Sequence, residues 1–108
     1  MLIESDNKKA IEIARRNDIA RKLGLEVTIT KKAAELPDLE SLLQNVRAYN
    51  DFTEKNDPYE AHDMGFFEWR GERIIWKIDY YNEQLTCAVD PLDPTCKRII
   101  TVMLAKEY

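Results

Sequence analysis

The sequence predicts an α+β fold: a mostly antiparallel four-stranded sheet with two helices packed on one face, in the order helix, strand, helix, strand, strand, strand. Three observations predict it. Leu39, Leu42, Leu43, Val46 and Tyr49 recur at helical spacing. Apolar and polar residues alternate through 25–30, and 73–80 forms an extended run. A β-branched, apolar run over 98–105 closes the chain. The 108 residues, 44% of them hydrophobic, supply one core and a single domain, residues 1–108.

Element by element, the first helix runs from about Asp6 to Leu23, opened by Ser5 as a cap and closed by Gly24. Ala10, Ile13, Ala20 and Leu23 share one of its faces, with Asn17 in their midst; a buried amide there needs a partner such as a loop backbone. Leu25-Glu-Val-Thr-Ile-Thr30 reads as the first strand, with Leu25, Val27 and Ile29 facing inward. Pro37 starts the second helix, and Asp38 and Glu40 suit the positive end of its dipole. Phe66 to Trp69 and Arg73 to Tyr80 form a hairpin joined across Gly71. Residues 87–96, with two Asp-Pro steps, form a loop before the last strand. Ile74, Trp76, Ile78 and Tyr80 face the core; Ile75, Lys77, Asp79 and Tyr81 face away from it.

Charge and rings are unevenly spread. Nine of the ten aromatic residues and the only histidine fall between Tyr49 and Tyr81. From Tyr49 to Thr95 there are eleven acidic and four basic residues, while the rest of the chain is net basic. Rings interleaved with carboxylates disfavour direct nucleic-acid binding, which needs lysine and arginine against phosphates, and suit a protein partner with a basic surface. No apolar stretch is long enough to span a bilayer, and the first residues lack a signal peptide's apolar core, so a cytoplasmic protein without a membrane partner is expected.

Most enzyme classes lack their residues here. There is no glycine loop for phosphates, with only Gly24, Gly65 and Gly71 present, so no cofactor is expected. Ser5 and Ser41 sit at helix starts, and Cys87 and Cys96 read as free thiols. His62 among Asp57, Glu60 and Asp63 leaves one catalytic alternative, a metal-assisted hydrolase or nuclease. Against it, zinc sites draw on several His or Cys ligands, and a histidine that pins the Asn56-Asp-Pro-Tyr turn by bonding Asp57 accounts for the same residues.

Asn56-Asp-Pro-Tyr-Glu-Ala-His-Asp-Met-Gly65, Trp76-Lys-Ile-Asp-Tyr-Tyr81, Asp90-Pro-Leu-Asp-Pro94 and Ile99-Ile-Thr-Val-Met-Leu-Ala-Lys-Glu-Tyr108 together resemble a bacterial family, domain of unknown function 3768. Asn17-Asp18 and Asp51-Phe52-Thr53 also resemble family positions. The resemblance spans nearly the whole chain and implies an accessory role on chromosomes, plasmids or phage-like elements, which with the charge asymmetry extends to an anti-defence role. This chain departs from it with Glu60 where glycine is usual, and with Ala61 and Val89 where acidic residues are usual. The expectation is therefore a small non-enzymatic interaction protein acting through its acidic, aromatic loop and hairpin. Its expected binding residues are Asp57, Tyr59, Glu60, His62, Asp63, Phe66, Trp69, Asp79 and Tyr81, with no metal ligands.

Overall fold

The computed structural model describes residues 4–24 and 26–108, with side chains from Asn7 onward. The first helix already includes Glu4, so Ser5 lies inside it rather than capping it, and Leu25 lies outside the described residues.

Helix α1 (Glu4–Leu23) is poorly amphipathic because the face it buries is small and polar. Ala10, Ala14, Asn17, Ala20 and Arg21 are buried, and Ile13 is half-buried. Leu23, expected inward, is 67% exposed; it follows the buried Arg21 by two residues, about 200° round the helix. On the outer side Glu12 accepts from Arg15 at 2.9 and 2.7 Å and from Arg16 at 2.9 Å, and these guanidiniums pull its carboxyl down to about 2.

Strand β1 (Val27–Ile29) pairs in parallel with β4 (Lys97–Leu104), Val27 opposite Ile100. Val27 shares the core face with Ile100, yet at the rim of an edge strand it stays exposed. A four-residue helix, α2 (Lys31–Ala34), follows where no element was expected; the Thr30 hydroxyl caps it by accepting from the Ala33 N–H. Helix α3 (Leu39–Ala48) buries Leu42 and Val46 and ends at the buried Tyr49, and Leu39 and Leu43 pack at the margin of the core.

β2 (Met64–Trp69) and β3 (Glu72–Tyr81) form the hairpin. Arg70 and Gly71, at φ 48° and 84°, make the two-residue turn whose twist matches the strands. The sheet order is β1-β4-β3-β2, with β3 antiparallel to both neighbours, so the sheet is mixed and mostly antiparallel. Ile74, Trp76, Ile78, Ile100, Val102 and Leu104 form the sheet's side of the core; Tyr80 and Phe67 pack against its edge. On the opposite face Ile75, Lys77, Asp79 and Tyr81 are half-buried, and Lys77 Nζ lies 2.6 Å from Asp79. A single-turn 3₁₀ helix, Ala105–Glu107, ends the fold.

Residues 82–96 form a loop that begins five residues before the expected start at Cys87, folded by side chains that accept from the loop's own backbone. Asn82 takes the N–H of Thr86 and Cys87, Asp90 that of Leu92, and Asp93 that of Thr95. Cys87 and Cys96 are unlinked thiols, and burial pushes the Cys96 thiol up.

Gly65 marks the tightest contact in the core: a Cβ there would stand 2.5 Å from the Trp76 indole nitrogen and 2.6 Å from the Tyr49 ring. Gly65→Ala should destabilise the fold by about 1–3 kcal/mol through overpacking, read as a lower denaturant midpoint at unchanged slope. A change below about 0.5 kcal/mol would show that the rings can yield.

The Glu12 carboxyl titrates below its unfolded value, so its stabilising pairs are complete above about 4.5 and are lost as pH falls toward about 2. A carboxyl NMR titration should place its midpoint near 2. A midpoint in the ordinary glutamate range, about 4.3, would mean that the two guanidiniums do not hold it in solution.

Candidate functional site

The polar face of α1 meets the loop between α3 and β2, and the junction rests on two buried side chains. Asn17 is 0% exposed: its Nδ2 donates to the Ala61 carbonyl at 2.9 Å and to the Tyr80 hydroxyl at 2.8 Å, and its Oδ1 accepts from Arg98 Nε at 2.6 Å. Tyr80 in turn donates to Asp63 at 3.2 Å, so a directed chain of hydrogen bonds runs from Arg98 to Asp63. Burial, together with the nearby Asp63 carboxylate, pushes the Tyr80 hydroxyl well above the ordinary phenol range. Arg21 is 2% exposed; it donates to Asp18 at 3.0 Å and to the Tyr49 carbonyl at the end of α3 at 2.9 Å. Its guanidinium also lies over the Phe52 and Trp76 rings, 5.4 and 5.0 Å from their centres.

The loop is folded around Asp57. This buried carboxylate accepts from the backbone N–H of Ala61 and His62, and burial raises it above the usual aspartate range against those bonds. The turn it organises holds Glu60 and His62 in the left-handed region, φ 57° and 56°. His62 lies flat on Phe52, ring centres 3.9 Å apart, with Nδ1 3.1 Å from Asp18 and Nε2 3.7 Å from Asp57. The histidine thus pins the loop to α1, through Asp18, as well as to its own turn.

Between helix and loop lies an open groove of about 1320 Å³. α1 lines one wall with Asn7, Ile11, Ala14, Arg15 and Asp18, and the loop lines the other from Phe52 to Glu54 and from Asp57 to Glu60, with His62 at its foot. Ile11 is 66% exposed and Tyr59 74%. Glu54 and Glu60 stand free in the groove and pair with no cation among the described residues, while Arg15 is held by Glu12.

Of the residues expected to act together, the groove gathers Asp57, Tyr59, Glu60 and His62. Asp63 instead accepts from the Tyr80 hydroxyl, which itself accepts from Asn17. Phe66 lies on the outer face of the sheet beneath Arg73, and Trp69, on the core side of the hairpin end, beneath Arg70. Asp79 is tied to Lys77 on the outer face, which Tyr81 shares through strand alternation. The α1 wall was missed. Its signal was the exposed Ile11 four residues before Arg15, outside the stripe of small residues that the helix buries.

Chemically, the His62–Asp18 pair could move a proton, but the described lining residues include neither serine nor cysteine. Among the described residues no three His, Cys, Asp or Glu side chains converge as a metal-holding group.

A family model matches residues 27–107, from the start of β1 to the last turn of the chain. The chain belongs to DUF3768, a family of proteins of unknown function. The DUF3768 span takes in the sheet and the loop wall of the groove, and α1 with its own wall precedes it. No curated protein and no solved structure matches the chain.

Arg21 joins α1, α3, Phe52 and Trp76 at one point, and lysine lacks the planar fork that serves them together. Arg21→Lys should cost about 2–4 kcal/mol in chemical denaturation. A loss below about 0.5 kcal/mol would mean that the junction is held without it.

Proposed function

We propose that this DUF3768 protein is a non-enzymatic interaction module whose groove takes a positively charged segment of a partner protein. One observation carries the reading: Tyr59 and Ile11 stand exposed on the two walls of a groove whose unpaired charges, Glu54 and Glu60, are both negative. Exposed apolar surface supplies the contact area, and the carboxylates steer a basic partner toward it. Proteins that handle nucleic acid present such basic surfaces, and a partner of that class fits an accessory or anti-defence role.

The test is capture of partners from bacterial lysate by the native chain and by a Tyr59→Ala, Glu60→Gln variant, washed from about 50 mM to about 500 mM salt. The native chain should retain a basic protein that leaves as salt rises, and the variant should hold it at least about tenfold less. A partner held equally by the variant, or held regardless of salt, would overturn the groove as the binding site.

A further inference from the structure

We infer that the groove recognises an arginine side chain presented by the partner, its guanidinium plane against the Tyr59 ring and its N–H groups toward Glu54 and Glu60. The inference rests on the groove's reading as a site for a basic segment and narrows it to one residue type.

The fold itself supplies the argument. Four arginines of this chain lie over aromatic rings: Arg21 over Phe52 and Trp76, Arg70 over Trp69, Arg73 over Phe66, and Arg98 over Tyr80. Their guanidinium carbons are 4.7 to 5.4 Å from the ring centres. Of the described Phe, Tyr and Trp rings that carry no guanidinium, Tyr59 is the one that lines the groove. It is 74% exposed and carries neither a ring contact nor a guanidinium among the described residues. The two glutamates lining the same groove are likewise without a cation. A ring face and unpaired carboxylates in one concave site are the complement of a guanidinium, which is planar, weakly hydrated and able to stack while its N–H groups bond at its edge. A lysine ammonium would satisfy the charge but holds its water more strongly and offers no plane to stack. The groove's own arginine does not compete, because both Nε and Nη2 of Arg15 are engaged by Glu12 at 2.9 and 2.7 Å.

Calorimetric titration of the full chain with hexa-arginine and with hexa-lysine, in about 50 mM salt, separates the possibilities. The arginine peptide should bind at least about fivefold more tightly than the lysine peptide. Tyr59→Leu should bring the two to parity, and Tyr59→Phe, which keeps the ring face, should retain the difference. A Glu54→Gln, Glu60→Gln variant should weaken both peptides by about threefold or more. All three positions are exposed, so circular dichroism should show unchanged melting. Equal binding of the two peptides that weakens in the glutamine variant would overturn the arginine assignment and leave the basic-segment reading standing. An arginine preference that survives Tyr59→Leu would overturn the assignment by placing the guanidinium away from that ring. Failure of the native chain to bind either peptide would overturn both.

Discussion

The Arg21 guanidinium, withdrawn from water at the meeting point of three elements, is the constraint on which the rest of the structure depends. A buried cation is costly unless its hydrogen bonds and counter-charge are supplied in place. Here Asp18 gives the counter-charge and the Tyr49 carbonyl at the end of α3 gives an acceptor. Phe52 and Trp76 give aromatic faces. Each supplier belongs to a different part of the chain, so the contacts of this one side chain, whose Nε alone has no protein partner among the described residues, fix how helix, loop and sheet stand together. Asn17, one turn earlier, does the same for Ala61, Tyr80 and Arg98.

The second constraint is local. Glu60 and His62 hold left-handed backbone conformations that residues with a Cβ adopt at a cost of about 1 kcal/mol or more each. The Asp57 carboxylate offsets that cost by gathering two N–H groups of the turn, and Asn17 takes the intervening Ala61 carbonyl. The glycine implied by family resemblance at position 60 fits this geometry, since glycine reaches φ 57° without the steric penalty. The strain aims Tyr59 and Glu60 outward while the histidine ring turns in against Phe52.

What could be read from the sequence follows from what each element packs against. The alternation from Ile74 to Tyr80 and the helical repeat from Leu39 to Tyr49 bury ordinary apolar side chains, and both elements form as expected. β1 carries no sign of its direction, because its parallel register with Ile100 to Val102 is set by a strand some seventy residues away. α2 depends on a threonine cap that also donates to Glu107, a contact no local pattern announces. The loop wall of the groove was legible in its rings and carboxylates. The α1 wall was not: the helix buries alanines, an amide and a guanidinium, so periodicity misplaced Leu23, and only Ile11, standing outside that stripe four residues before Arg15, hinted at the wall. The hairpin aromatics were legible as rings, but strand alternation and their own arginines direct Phe66 and Trp69 elsewhere.

The alanine face of α1 has a consequence for how the molecule comes apart. Small side chains contribute little burial free energy, so the helix is held mainly by the polar contacts of Asn17, Asp18, Arg21 and His62 rather than by an interdigitated apolar seam. Loss of any of these polar contacts therefore loosens the seam itself, with little apolar interlock to hold the helix in its place. Because the groove has one wall on each side of that seam, an occupant touching both would bind only the docked form and, by mass action, hold the helix in place. Occupancy of the groove and docking of the helix are then one thermodynamic event seen from two sides.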